Sequence, residues 1–522
     1  MQRNLKLCCQ GYKISLLIVT HGYTLRCNPG YNFFFSSPFF LDVQKGQEQL
    51  VPVVNYHTPE ELYKLFDFTL PNKGVGLEGI FKTINSTLEY SVNSWNPRFL
   101  DKLYAGTNPI GVISELLLAV LNSNAHVFHV SPVLSLMEVE VTKAIGQLLN
   151  MGEKAGGILC PGGSASNLLA MITARNKLFP SIKTEGYFPR PFHPQSKYGK
   201  LKVFTSIHSH YSIDKAAQVL GLGLDNIVKV PVDHEGKMQV DELEKLIELS
   251  IQKDETPFFI NATAGTTVLG AFDPIKDIAT IAKKYHCWLH VDGSWGGSVA
   301  FSDKMMKTTT WLKGSEHADT FTLNPHKLLG VPLQCSMLLT PHEGHLLFAK
   351  SNSSQADYLF HGNEYDIGAG TIGCGRRPDA TKMFMAWRYY GKDGLGGRVD
   401  KALSLASQFT SMVRERKGFK LVQDPSPFLQ ICFWFVPPTI EKHVESLKGK
   451  EYSLCLSRIT RHLHQQIREK GEFLVDHSPL EGIPDFFRVV INAPTLSLHR
   501  DLERLLDVIE EVNASVDWSE LL

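Results

Sequence analysis

Cys287-Trp-Leu-His-Val-Asp-Gly-Ser-Trp-Gly-Gly297 reads as a short apolar strand that ends on a carboxylate and a small-residue turn. An aspartate at the carboxyl end of a strand stands where open α/β sheets place their ligands. There Asp292 can hold a positive ring nitrogen, although taken alone it reads first as a turn or helix-cap residue.

Runs of the same kind recur on both sides, at 202–206, 226–230, 257–262, 320–323 and 336–340. Helical stretches near 212–221, 240–252 and 273–285 separate the earlier ones. This alternation predicts an α/β layer around a mostly parallel sheet. Upstream, Thr58-Pro-Glu-Glu61 carries an N-cap, a first-turn proline and acidic residues, and opens helical patterning over 59–91. Strongly apolar helices follow at 109–122 and 132–150. Beyond 396, a helix near 398–416, strands near 429–435 and 486–491 and a helix at 498–514 predict a smaller α+β domain. The expected division is a tail and linker at 1–58, a helical segment at 59–135, a large domain at 136–395 and a small domain at 396–522.

Composition narrows the function classes. The chain has 522 residues, with 53 Lys+Arg against 53 Asp+Glu. Zero net charge gives no global electrostatic case for nucleic acid or an anionic membrane. The apolar runs fall short of the roughly 18 residues a membrane-spanning helix uses, so no span is expected. The nine cysteines include no C-x-x-C spacing, which suits a reducing compartment better than a disulfide framework. Residues 1–41 depart from the balance: they hold Arg3, Lys6, Lys13 and Arg26 and no acid. That pattern reads as a divergent start on a cytoplasmic protein, with a mitochondrial presequence as the alternative.

Three further motifs accompany Asp292. Cys160-Pro-Gly-Gly-Ser-Ala-Ser-Asn167 precedes a helical run and offers free backbone N–H groups at a helix start, which suits a phosphate or simply a tight turn. His208-Ser-His-Tyr211 follows a strand; with no third ligand in sight, metal binding is not expected. Thr322-Leu-Asn-Pro-His-Lys327 puts a lysine in a proline-set loop, where it is either solvated or a Schiff-base nucleophile.

Taken together, these motifs resemble the group II pyridoxal-phosphate-dependent decarboxylases, in the branch of glutamate, cysteine sulfinate and aspartate decarboxylases. The resemblance runs from about Asn96 to Ala493. It rests also on Ala262-Thr-Ala-Gly-Thr-Thr267, Gly270-Ala-Phe-Asp-Pro274, Leu333-Gln-Cys-Ser336 and Phe486-Phe-Arg488. It implies the type I fold of aspartate-aminotransferase-like enzymes with a seven-stranded sheet, pyridoxal 5'-phosphate as cofactor and a homodimer. It also implies roles. Lys327 carries the cofactor, Asp292 pairs with the pyridine nitrogen and His210 stacks on the ring. Ala165, Ser166, Asn324 and His326 surround the phosphate and cofactor, and Thr263 lies near its polar edge. Arg488 holds the substrate α-carboxylate, for which a guanidinium fork is suited.

The chain departs from the family pattern at two places. Tyr365-Asp-Ile-Gly-Ala-Gly-Thr-Ile-Gly-Cys-Gly-Arg376 is shorter than the family's mobile loop and lacks its second tyrosine, which assists protonation of the product. Slower turnover or more decarboxylation-dependent transamination is expected. Lys102 replaces a glutamine near the substrate, and Asn124 matches a substrate-side asparagine. A lysine there can grip an acidic side chain or face solvent. The favoured substrate is therefore a small acidic amino acid: glutamate, aspartate or cysteine sulfinate. Another amino acid, an aldehyde-forming reaction and a catalytically silent dimer partner are the alternatives.

Overall fold

The computed structural model describes residues 44–49, 51–190, 192–354 and 356–519, together with the backbone of a short antiparallel hairpin, β1 (Lys6–Cys9) and β2 (Tyr12–Ser15). The rest of the acid-free start, and with it the targeting question, lies outside the described residues.

Seven strands form the main sheet: β3 (Gly156–Cys160), β4 (Leu201–Ser206), β5 (Ile227–Val230), β6 (Thr256–Thr263), β7 (Trp288–Gly293), β8 (Thr320–Leu323) and β9 (Ser336–Thr340). Their order is β3-β9-β8-β7-β6-β4-β5. The run from β8 to β5 pairs parallel, and β9 is antiparallel to both its neighbours. Apart from β9, every strand ends at the same edge.

Helices cover both faces, so the inner strands are apolar on both sides. Alternation still sorts their side chains. Leu289 and Val291 of β7 enter the larger core, whereas Trp288 enters a second core with Val203 and Leu338. His290 and Asp292 share the face of Trp288 by the period of two. Strand β3 is absent from the runs read above because it opens on two glycines. A Cβ on Gly157 would lie 2.3 Å from the carbonyl oxygen of Leu338, so β9 packs against bare backbone there.

The small domain holds a four-stranded antiparallel sheet, β10 (Phe419–Leu421), β11 (Gln430–Phe435), β12 (Asp476–Leu480) and β13 (Ile483–Val490), in the order β10-β11-β13-β12. Strands β10 and β12 are additions to the sequence reading. The first has three residues, and the second carries Pro479, which an edge strand accommodates. An amphipathic helix, Gly449–Lys470, packs its Leu456, Ile459, Leu463 and Ile467 face on this sheet and is also additional.

Three further readings are corrected. The helical span 59–91 is two helices, α1 (Pro59–Leu65) and α2 (Gly76–Tyr90), interrupted around Pro71 and Gly74. The Thr58 capping box forms as read, with Thr58 Oγ1 accepting from the Glu61 N–H at 3.3 Å and Glu61 accepting from the Thr58 N–H at 2.9 Å. The helix near 398–416 is the second half of Ala380–Glu415, which is broken where Gly391 takes a φ of 66°. The expected linker packs against the small domain: Val53 is fully buried and donates its N–H to the Gly471 carbonyl at 2.9 Å.

Candidate active site

The common strand edge gathers the four motifs. Asp292 is the last residue but one of β7, and in register it neighbours Thr263 on β6 and Thr322 on β8. Asn324, His326 and Lys327 follow β8, and His210 follows β4. The helix α3 (Gly163–Leu178) starts just past β3. These elements close around a cleft of ≈ 210 Å³ lined by Gly163, Ser164, Asn167, His210, Tyr211, Thr263, Gly265, Thr267, Asp292, Ser294, Trp295, Asn324, His326 and Lys327.

Lys327 opens on this cleft. Burial pushes its ammonium below the ordinary lysine value, and Asp292 opposes that shift. The result is an amine more readily available as a nucleophile than a surface lysine. Burial works against ionisation of Asp292, yet His210, the Ser294 side chain and Lys327 outweigh it and hold the carboxyl below its ordinary value. Asp292 Oδ1 accepts from the Ser294 N–H at 3.1 Å, and Oδ2 accepts from the Asn167 amide at 2.8 Å. His210 Nδ1 accepts from the Ser212 N–H at 3.3 Å. Burial pushes its imidazole below the ordinary value, Asp292 opposes and Lys327 assists. His326 is pushed down to about 4 by burial, and its Nδ1 accepts from the Cys335 N–H at 2.9 Å. His208 does not join His210: it packs near Gly236, away from the cleft, so the pair does not converge on one ion.

The residues present fit pyridoxal phosphate. The N-cap of α3 is Gly162, at φ 93°, with no side-chain cap, which leaves the first N–H groups of the helix to an anion. Gly163 holds space beside them, since a Cβ there would lie 2.7 Å from Ser294 Oγ and 2.8 Å from Asn324 Nδ2. Thr263 Oγ1 is buried at the cleft with no hydrogen-bond partner, where a polar ring substituent would satisfy it. Lysine, ring-holding carboxylate and anion cup therefore share one space.

The other expected residues fall around this centre. Ser166 is fully buried and bonds Ser336 Oγ at 2.7 Å, which in turn donates to Asn324 Oδ1 at 2.6 Å, so it sets the cup from behind. Ala165 packs against the second core, and Gly163 and Ser164 take the cleft side of the turn. Arg488 is buried behind the wall. It donates to the carbonyls of Thr267 at 3.2 Å and Asp101 at 3.0 Å and pairs with Asp476, and its Nε has no partner. Lys102 bonds Asp101 at 3.0 Å and Asp476 at 3.3 Å and faces a separate cavity of ≈ 380 Å³, not the cleft. Asn124 accepts from the Arg376 N–H at 2.8 Å, also outside the cleft.

Sequence reasoning assigned no role to Asn167, Trp295 or Gln430. Trp295 donates to Gln430 Oε1 at 3.1 Å, and Gln430 donates to the carbonyls of Thr266 and Thr267 at 3.0 and 3.1 Å. Strand β11 of the small domain thus braces the loop after β6. No pattern near Gln430 in the sequence signals this, because its partners lie more than a hundred residues upstream.

Known proteins extend the geometry. The model of the pyridoxal-dependent decarboxylase conserved domain matches residues 59–436. An L-aspartate decarboxylase of Metarhizium robertsii is 42% identical over 463 residues, 87% of this chain and 87% of that protein. The cysteine sulfinic acid decarboxylase of Rattus norvegicus is 37% identical over 477 residues, 90% of this chain and 93% of its own. The crystal structure of the mouse cysteine sulfinic acid decarboxylase superposes with a TM-score of 0.84 at 35% identity, covering 91% of this chain and 98% of that one. With lysine, aspartate and anion cup in place on this fold, the chain belongs to the pyridoxal-dependent decarboxylase family.

Proposed function

We propose that this protein decarboxylates a small acidic L-amino acid, releasing carbon dioxide and the corresponding amine. The observation that carries the proposal is the convergence of Lys327, Asp292 and His210 on one cleft, with the Asp292 carboxyl held below its ordinary value. The acidic substrate is supported by relatives that act on aspartate and cysteine sulfinate at 37–42% identity.

Pyridoxal phosphate, when bound, supplies the sink for the electron pair left by departing carbon dioxide. The chain does the rest. Lys327 Nζ, its proton affinity lowered by burial, would be the amine that holds the cofactor. Asp292 would hold a positive ring nitrogen through a carboxylate whose two oxygens each already accept one fixed donor, Oδ2 from Asn167 and Oδ1 from the Ser294 N–H. His210 lines the cleft and would bring its imidazole to the ring. The family resemblance assigns the substrate α-carboxylate to Arg488, whose guanidinium here stands behind the cleft wall, held by Asp476 and the carbonyls of Thr267 and Asp101.

A homodimer fits the surface. Helices α1 and α2 bury no residue, and Leu70 and Leu77 are 96% and 77% exposed. Exposed apolar area of that kind is rare on a lone subunit. Among the described residues no helix is long and apolar enough to cross a membrane. A cytoplasmic location is consistent with the six free cysteines among them.

The test is carbon dioxide release from a panel of amino acids with pyridoxal phosphate added. Aspartate, glutamate or cysteine sulfinate should lead, and Lys327→Ala should abolish both turnover and the borohydride-sensitive visible absorbance. Preference for an aromatic amino acid would overturn the assignment.

A further inference from the structure

Behind Asp292 a line of buried polar groups runs into the protein, and its direction can be deduced. Trp288, His290 and Asp292 alternate along β7 and so share one face. Thr320 and Thr322 stand beside His290 and Asp292 in the register of β8. All five are buried, as is Asn167, which comes down from α3 onto the same face.

An indole N–H can only donate. Trp288 Nε1 donates to Thr320 Oγ1 at 3.0 Å. The Thr320 hydroxyl proton is then free to go to His290 Nδ1, also at 3.0 Å. With Nδ1 accepting, a neutral His290 carries its proton on Nε2 and donates to Asn167 Oδ1 at 3.0 Å. Burial holds this imidazole neutral, pushing it down to about 4. Thr322 Oγ1 donates to the same Asn167 oxygen at 3.0 Å. Two donors on Oδ1 forbid the flipped amide, so the Asn167 NH₂ must face Ser212 Oγ at 2.9 Å and Asp292 Oδ2 at 2.8 Å.

We propose that Asn167 and His290 are positioning residues for the cofactor: a one-way hydrogen-bond relay from Trp288 fixes the Asn167 amide so that it always donates to Asp292. Nothing in core packing asks for this. An apolar residue would fill each place without burying a polar group, and a relay with one member missing is worse than none. The relay directs a permanent donor at one carboxylate oxygen while the Ser294 N–H holds the other. Asp292 is thereby kept ionised and fixed in rotation, ready to meet a ring N–H. Its other facing charges, His210 and Lys327, approach from the cleft and not from the sheet.

The inference rests on the reading that Asp292 holds the cofactor's ring nitrogen. Its test is titration of apoenzyme with pyridoxal phosphate, followed by protein fluorescence and visible absorbance, alongside steady-state kinetics. Asn167→Leu removes the donor, and His290→Phe keeps a ring but removes one of the two donors that hold Asn167 Oδ1. Each should raise the cofactor's Kd by about tenfold or more, the worth of one charge-assisted hydrogen bond. Each should lower kcat while leaving the amino-acid KM within about twofold, since no substrate contact is lost. Thr320→Val, nearly isosteric, should give a smaller loss in the same direction and serves as the test where a larger change prevents folding. If the wild type binds pyridoxal phosphate and these variants bind it equally well, the relay is refuted while the cofactor reading stands. A rise in KM at unchanged kcat and Kd would refute it as well. Failure of the wild type to form the borohydride-sensitive absorbance would instead remove the underlying reading.

Discussion

Replacing Arg376 should destabilise the protein through a residue it leaves behind. Arg376 ends the shortened segment after Tyr365 and is 8% exposed. Its guanidinium donates to the Ala125 carbonyl at 2.6 Å and the Leu159 carbonyl at 3.3 Å and pairs with Glu138, which is fully buried. Glu138 Oε1 also accepts from the Leu159 N–H at 2.9 Å, and its Oε2 has no partner. In Arg376→Met the carboxylate keeps one N–H and loses its only counter-ion among the described residues. Breaking a buried pair in this way costs about 3–5 kcal/mol, because the remaining charge is uncompensated. Adding Glu138→Gln removes that charge and should recover at least half of the loss, the cost of an unpaired carbonyl being only about 1–3 kcal/mol. Equilibrium urea unfolding of the apo protein, read by tryptophan fluorescence, measures both. A loss under about 1 kcal/mol in the single variant, or a double variant no better than the single, would refute the reasoning. Leu159 lies one residue before the end of β3, so the same variant should also weaken pyridoxal phosphate binding at the cup.

Four further outcomes are expected. Gly163→Ala puts a methyl 2.7 Å from Ser294 Oγ, against an ordinary contact of 3.4 Å or more. The overpacking is worth about 1–3 kcal/mol, so pyridoxal phosphate should bind roughly 5- to 150-fold more weakly by titration, and unchanged affinity would place the cup elsewhere. Lys102→Gln should leave the KM for acidic substrates within about twofold, because exposed ion pairs outside the cleft are worth about 1 kcal/mol or less. A large rise would bring Lys102 to the substrate. Acid should destabilise the apo protein: His290 and His326, both pushed down to about 4, confer stability that is whole above their ordinary 6.5 and is lost as pH falls toward 4. Asp273, pushed up to about 6 by burial, acts in the opposite sense, so Asp273→Asn should steepen the fall in melting temperature across that window. Finally, turnover should leave measurable pyridoxamine phosphate and aldehyde beside the amine. Clean amine would show that the short segment at 365–376 does not compromise protonation.

The parts legible in the sequence are those whose physics is local. Strands β4 to β9 show as short apolar runs because both faces of the inner sheet are covered. The site motifs show because each sits within a few residues of a strand end, where chain direction alone carries Gly163, His210, Thr263, Asp292 and Lys327 to one edge. Strand β3 was hidden because close packing on β9 replaces its side chains with glycine. Lys102 read as a substrate residue because it stands where the family pattern has a glutamine near the substrate. Its partner Asp476 lies 374 residues away on an edge strand and turns it into a different cavity.

The same distinction explains why Asn167 escaped notice although it lies inside a quoted motif. Its side chain is set by groups 123 and 155 residues downstream, on two strands whose adjacency only the sheet order supplies. One trace of the arrangement does lie in the sequence. Trp288, His290 and Asp292 fall at a spacing of two on a run whose intervening residues, Leu289 and Val291, are apolar. A strand buried on both faces has no call for a polar stripe unless the stripe is satisfied internally. Alternation of polar with apolar residues in a central parallel strand therefore marks a buried network rather than a solvent-facing side, and the carboxylate at its end marks where that network meets the ligand.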